Sequence, residues 1–136
     1  MYFIPVKLYG VLDYLFGLLL MSSPWLFHFA PNEAVAGAET ITPVFIGVNL
    51  FMVALITNTE WGLSKIISFE THLAIDLVAG LFLAASPWLF NFVTIVYAPH
   101  LIIGLLAVFM VAATKRGPVH RRIKHLSTII IRPKTA

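Results

Sequence analysis

Cysteine is absent from this 136-residue chain, and charged side chains are scarce. Without cysteine the protein has no disulfide framework, no thiolate metal site and no thiol nucleophile. Asp, Glu, Lys and Arg together supply only 11% of the residues, whereas hydrophobic residues supply 60% and the mean hydropathy is +0.92. A soluble domain of this size would expose too much apolar surface to water. The composition therefore indicates an integral membrane protein.

Three long stretches without Asp, Glu, Lys or Arg indicate where the chain crosses the bilayer. The first two, 14–32 and 40–59, contain nineteen and twenty residues, and each is long enough for one helical crossing. The third, 77–114, contains thirty-eight residues, which at about 1.5 Å per residue is roughly twice the hydrocarbon thickness. It must hold two helices, and Ala98-Pro99 is the expected break. The predicted spans are 7–28, 43–58, 70–92 and 99–115.

The basic residues predict the orientation of these spans. Lys7 precedes the first span, Lys65 lies between the second and third, and the other seven Lys and Arg follow the fourth. The connectors 29–42 and 93–98 have none. Since short cytoplasmic loops are enriched in Lys and Arg, we expect both termini in the cytoplasm and the protein in the cell membrane.

The C-terminal segment 117–136 is predicted to be a separate basic tail. Residues 115–136 carry seven basic and no acidic side chains, and Gly117-Pro118 marks the exit from the fourth span. Anionic lipid headgroups are the expected partner, at about 1 kcal/mol for each basic residue near the surface. Nucleic-acid binding is not expected, because no recognition motif accompanies the charge.

An internal repeat divides the rest of the chain into two units of two helices, 1–63 and 64–116. A shift of 63 positions brings identical residues together at Asp13 and Asp76, at Gly17 and Gly80, at Phe29 and Phe92, and along 23–27 and 86–90. A shift of 57 aligns the second helices, at Gly47 and Gly104 and at Thr57 and Thr114. Chance does not explain a five-residue identity at matching depth. Both units enter from the same side, so the fold class is an all-α membrane four-helix bundle of two parallel repeats with a pseudo-twofold axis along the membrane normal.

The repeated motif consists of Ser23, Pro24 and Trp25 in one copy and Ser86, Pro87 and Trp88 in the other. Each proline lacks the N–H that would bond the carbonyl four residues earlier, so each helix should kink, and the adjacent serine hydroxyl can bond the freed backbone. Each tryptophan suits an anchor at the outer headgroup level. The alternative is a ligand pocket under the two kinks, lined by the indoles.

This doubled motif resembles the SPW-repeat family of integral membrane proteins, and the resemblance covers roughly residues 7 to 114. It implies two helices in each repeat and supplies no catalytic residues. The two copies differ at Tyr9 against His72, at His28 against Asn91, and at Asn49 against Leu106. A role that needs both copies to be identical at those positions is therefore in question.

Two aspartates are predicted to form the polar centre of the protein. Asp13 and Asp76 each lie twelve residues before a motif tryptophan, about 18 Å along a helix, which puts them near the midplane. Isolated aspartates there cost about 2.5 to 3.5 kcal/mol each on insertion scales, so they need partners. Tyr9, His72 and Asn49 are the available side chains. The pair then acts as structural glue or, alternatively, as the proton or cation site of a transporter.

Small residues predict where helices touch. Gly17 and Gly80 share the aspartate-bearing faces of the first and third spans, and Gly47 and Gly104 lie in the second and fourth. Glycine allows close backbone approach in a membrane, so these positions should face protein rather than lipid.

Histidine is the remaining source of nitrogen ligands. His28 and His100 both belong to the outer ends, where a pair of imidazoles could in principle hold a b-type haem, but water or backbone satisfies most interfacial histidines. His72 precedes Asp76 by one helical turn and can donate to it. No other metal-ligand spacing is present, so we expect no metal and no cofactor.

Signals of an enzyme are missing from the sequence, which has no phosphate-binding glycine loop, no nucleophile elbow and no His-Glu-x-x-His zinc motif. We therefore expect a structural or accessory membrane subunit that forms a homo-oligomer or packs against a larger membrane complex. The alternative is a small proton- or cation-coupled transporter or channel that uses Asp13 and Asp76. Haem or quinone binding ranks below both.

The charge asymmetry makes a prediction about topology. Cysteines introduced at Glu33 and near Tyr97 should react with an impermeant thiol reagent applied to intact cells, whereas cysteines at Ser64 and Thr135 should react only after lysis. Labelling at Ser64 in intact cells would show that the orientation is reversed.

Overall fold

The described part of the chain is a bundle of four α-helices. The computed structural model describes residues 4–30, 36–60 and 62–114. Within these residues the helices are α1 (Val6–Leu26), α2 (Ala38–Ile56), α3 (Phe69–Leu89) and α4 (Ala98–Ala113). The predicted all-α bundle is confirmed, with α2 starting five residues before the predicted 43 because Pro43 lies inside the helix. The predicted basic tail 117–136 and Glu33 lie outside the described residues.

The helices run alternately between two ends of the bundle, which we call the inner end, where α1 and α3 begin, and the outer end, where they finish. Helix α1 packs closely on α2, and α3 packs closely on α4. Although α4 is the shortest helix, it reaches both ends. His100 in its first turn contacts the backbone of Glu39 at the start of α2, and the carbonyl of Ala113 accepts a hydrogen bond from the Ile4 N–H.

Two short parallel backbone bridges join the repeats at the inner end. Ile4 pairs with Thr114, and Thr57 pairs with Ile67. Exchanging the repeats, by a shift of 63 for the first helices and 57 for the second, converts one bridge into the other. This is the pairing that a pseudo-twofold arrangement requires, although the axis itself stays a prediction.

The outer surface of the bundle is apolar along its length. Large hydrophobic side chains on all four helices are exposed, for example Leu15 at 57%, Phe45 at 66%, Val78 at 67% and Phe109 at 63%. Among the described residues, three helices, α1, α2 and α3, are long and apolar enough to cross a membrane. Helix α4 is apolar but has 16 residues, a rise of about 24 Å. Exposed apolar surface of this extent fits lipid rather than water.

The described residues form two buried hydrophobic clusters in the interior. The larger one draws on all four helices and contains Phe16, Leu20, Ile46, Leu50, Leu83, Ile103 and Ala107. The smaller one lies nearer the inner end, where Tyr9 packs with Leu73 and Val111. Buried polar side chains, including Asp13, His72 and Asp76, also lie in the interior.

The four glycines predicted at helix contacts form two facing pairs, Gly17 with Gly47 and Gly80 with Gly104. A Cβ atom on Gly47 would lie 2.8 Å from the Gly17 carbonyl oxygen, and one on Gly104 would lie 2.6 Å from the Gly80 oxygen. A Cβ on Gly17 would meet Gly47 at 3.2 Å. The backbones of α1 and α2, and of α3 and α4, therefore approach too closely for a side chain at the second member of each pair.

Alanine at these positions should destabilise the bundle to different degrees. Gly47→Ala and Gly104→Ala force backbone apart and should each cost about 1–3 kcal/mol, whereas Gly17→Ala should cost less because its neighbour needs to shift only slightly. Thermal unfolding in detergent, monitored by circular dichroism, measures the order in which these variants are destabilised. Equal melting temperatures for Gly17→Ala and Gly47→Ala would contradict this account of the contact.

Candidate functional site

The most polar part of the interior is a group of four side chains from α1 and α3. Tyr9 and Asp13 lie one turn apart on α1, and His72 and Asp76 lie one turn apart on α3. All four are at least 96% buried. Residues one helical turn apart lie on the same face of a helix. Each pair therefore occupies one face, and these two faces of α1 and α3 are turned towards each other.

His72 joins the two aspartates. Its Nε2 lies 2.9 Å from Asp76 Oδ2 and 3.2 Å from Asp13 Oδ2. The Tyr9 hydroxyl donates to Asp76 Oδ2 at 2.5 Å, so Asp76 is held from both repeats. Asp13 Oδ2 and Asp76 Oδ1 are buried without a hydrogen-bond donor among the described residues. The structure therefore brings together Asp13, Asp76, Tyr9 and His72, which the sequence singled out.

Thr57, which the sequence analysis did not assign to the centre, is the fifth member of this group. It is the residue after α2, fully buried, and its Oγ1 lies 2.7 Å from His72 Nδ1. The same hydroxyl donates to the Val53 carbonyl at 2.6 Å. The sequence contained one signal for this residue, because Thr57 aligns with an identical residue, Thr114, in the second repeat. We call Tyr9, Asp13, Thr57, His72 and Asp76 the central cluster.

Asn49 does not belong to the central cluster, contrary to the sequence-based expectation. Its side chain is exposed, and its Nδ2 donates to the Phe45 carbonyl one turn earlier at 2.7 Å. The amide is satisfied within its own helix, and its neighbour Leu50 is the residue that faces the core. Asn49 therefore needs no partner on another helix.

The Ser-Pro-Trp motifs repair the helix bonds that their prolines remove. Pro24 leaves the Leu20 carbonyl without its usual donor, and the Ser23 hydroxyl donates to that carbonyl at 2.9 Å. In the second repeat the Ser86 hydroxyl donates to the Leu83 carbonyl at 2.7 Å. The serines and prolines are buried, so these bonds are made away from solvent.

A family model described as the SPW repeat domain matches residues 7–114. The chain belongs to the SPW repeat family. Neither a curated protein nor a solved structure matches it. The resemblance drawn from the doubled motif is confirmed, and the family and the apolar helices together make this chain a small membrane protein.

A third proline in this SPW repeat protein frees another carbonyl, and a histidine from the other repeat bonds it. Pro43 removes the donor for the Glu39 carbonyl, and His100 Nε2 lies 2.9 Å from that oxygen. A carbonyl only accepts, so His100 carries its proton on Nε2. Under the shift of 57, Pro43 and His100 are equivalent positions. At equivalent positions, the first repeat thus has the residue that frees a carbonyl, and the second repeat has the residue that bonds it.

The two histidines considered as haem ligands lie in different environments. His100 is buried between the rings of Phe29 and Phe92, with centroids 5.2 and 4.9 Å away, and its Nε2 is engaged by Glu39. His28 is exposed at the end of α1 with φ 57°. Asn91, its counterpart in the second repeat, has φ 58°. Histidine and asparagine tolerate this left-handed conformation, which explains why these two residue types alternate here.

The region under the two motifs contains a narrow void rather than a ligand-sized chamber. It is too narrow to admit a water molecule and is lined by Leu20, Ser23, Pro43, Leu83 and His100 among others. The motif tryptophans do not line it. Trp25 is 63% exposed and Trp88 is 53% exposed, both at the outer end, where an anchoring role stays a prediction.

The Pro43–His100 relation can be tested with a double-mutant cycle. His100→Leu leaves the Glu39 carbonyl without a donor and should cost about 1–3 kcal/mol. In a Pro43→Ala background the backbone N–H restored at position 43 can bond that carbonyl, so the same histidine change should cost less. The free energies of unfolding of the wild type, the two single variants and the double variant, measured in detergent, give the coupling energy. If the two substitutions changed the free energy of unfolding by strictly additive amounts, the Glu39 carbonyl would not link the two positions.

Proposed function

We propose that this SPW repeat protein is a structural or accessory membrane subunit whose two repeats are locked together by the central cluster. The observation that carries the proposal is that three polar contacts of the cluster join one repeat to the other. Tyr9 bonds Asp76, Asp13 approaches His72, and Thr57 contacts His72. Since lipid offers no competing hydrogen bonds, such polar contacts are an effective way to specify one helix arrangement.

The apolar outer surface supports a role in assembly. On α3 an open groove is lined by Thr71, Ala74, Ile75, Val78, Ala79 and Phe82. At the equivalent positions α1 has bulkier Val11 in place of Ala74 and Phe16 in place of Ala79. The second repeat presents a concave lateral face on α3, whereas Phe16 of the first repeat is buried in the core. A second copy or a larger membrane protein is the partner in this proposal.

Orientation and the tail belong to the same proposal. The excess of Lys and Arg on one side favours cytoplasmic termini in the cell membrane, and the basic tail 117–136 would then meet anionic headgroups. No catalytic role is proposed.

One observation favours the transporter as the second candidate. The central cluster contains more acceptors than donors, because Asp13 Oδ2 and Asp76 Oδ1 lack a hydrogen-bond donor among the described residues. Buried ionisable groups in membrane helices commonly mark proton or ion pathways. The narrow void at the outer end speaks against an open path on that side.

Asparagine at both aspartates separates the two functions. Asn keeps hydrogen-bonding capacity but cannot bind and release a proton, so the Asp13→Asn, Asp76→Asn double variant should remain folded and keep its assembly state, as measured by native mass spectrometry from mild detergent. Neither protein should carry protons when reconstituted in liposomes containing a pH-sensitive dye.

Asn49→Leu is the matched control, since the second repeat has Leu106 at that position and Asn49 is exposed. A monomer without partners in the wild type would count against the accessory role. A proton or cation flux in the wild type that disappears in a folded double Asn variant would establish the transporter instead.

A further inference from the structure

The central cluster has the geometry of a metal site. His72 Nε2 and one oxygen each of Asp13 and Asp76 lie within 4.8 Å of one another. The imidazole nitrogen is 2.9 and 3.2 Å from the two carboxylate oxygens. Ligands about 2.1 Å from a shared ion are separated by about 3.0–3.4 Å in octahedral or tetrahedral geometry. The two nitrogen–oxygen distances therefore fit a common ion, and the ligand oxygens of Asp13 and Asp76 lie within 4.8 Å of each other.

The hydrogen bonds around His72 indicate which nitrogen is available. The Thr57 hydroxyl has one proton, which it donates to the Val53 carbonyl, and so its oxygen accepts from His72 Nδ1. Thr114 makes the same bond to Met110 at 2.6 Å in the other repeat. With the proton on Nδ1, the lone pair of a neutral imidazole lies on Nε2, directed at the two carboxylates. A second partner on the far nitrogen is the usual arrangement of a metal-binding histidine.

The carboxylates are supported in the same way, and they are short of donors. The Tyr9 hydroxyl orients Asp76 through Oδ2. Asp13 Oδ2, which is buried and directed into the cluster, accepts no hydrogen bond among the described residues. Three acceptor atoms that converge in an apolar interior repel one another unless a proton or a metal ion lies between them.

We propose that Asp13, His72 and Asp76 bind a divalent transition-metal ion such as Zn²⁺, with Thr57 and Tyr9 holding the ligands in place. Two carboxylates and a neutral imidazole balance the charge of a divalent ion, which makes the loaded site neutral in a low-dielectric region. One nitrogen and few oxygens suit Zn²⁺ or its neighbours better than Ca²⁺, which takes 6–8 oxygen ligands. Three protein ligands also leave a coordination position open.

This site goes beyond the accessory role and does not depend on it, since metal binding and partner assembly are measured separately. The sequence predicted no metal, because the ligands come from helices in different repeats and form no local motif. The proposal concerns binding alone and assigns no reaction to the ion.

Zn²⁺ binding to the full chain in detergent tests the proposal. Protein stripped with a chelator should take up one Zn²⁺ per chain in isothermal titration, confirmed by elemental analysis. His72→Gln should abolish binding at this site, and Thr57→Val should weaken it about tenfold to a hundredfold through loss of the Nδ1 partner. The variant His28→Asn is the matched control and should bind like wild type, because Asn91 stands there in the other repeat.

His120 and His125 are replaced by Asn in all proteins so that the tail contributes no imidazole. Unchanged affinity in folded His72→Gln, or no uptake by folded wild type, would overturn the proposal. If His72→Gln fails to fold, X-ray absorption of the zinc-loaded wild type decides. One imidazole with oxygen ligands supports the site, and two or more imidazoles refute it.

Discussion

The bilayer core offers no hydrogen bonds, and this constraint governs every polar group in the bundle. Three prolines inside helices leave carbonyls that water would satisfy in a soluble protein. Here side chains satisfy them, from the same turn at the Leu20 and Leu83 carbonyls and from another helix at the Glu39 carbonyl. The Ser-Pro pair of the motif therefore needs no outside partner, because the serine hydroxyl bonds the carbonyl that the adjacent proline leaves without a backbone donor.

The central cluster obeys the same constraint on a larger scale. Asp13 approaches His72 of the opposite repeat, and Asp76, besides His72 on its own helix, accepts a hydrogen bond from Tyr9 of the opposite repeat. His72 is placed to serve both because Thr57, at the end of α2, fixes its ring from behind. Close backbone approach at the glycine pairs holds the helices of each repeat together, and the cluster then holds the two repeats in register.

Much of this could be predicted from the sequence, because periodicity determines which residues share a helix face. The repeat placed Asp13 and Asp76 at matching depth, and the chemistry of proline predicted the role of the serines. Periodicity does not determine how far one helix slides along another. The contacts of Thr57 with His72 and of His100 with Glu39 depend on that register. Asn49 was misassigned to the central cluster because a mid-helix amide can bond its own backbone as well as a neighbouring helix.

The complementary difference at Pro43 and His100 has a consequence for how such a protein can be built. A symmetric dimer of the first repeat would have two freed carbonyls, two tyrosines facing the aspartates and no histidine at either site. A dimer of the second would have surplus imidazoles and no carbonyl for them to bond. Fusion into one polypeptide allows each half to carry what the other lacks. The two repeats now carry different residues that bond to each other, so a dimer made of two copies of either repeat would lack these bonds.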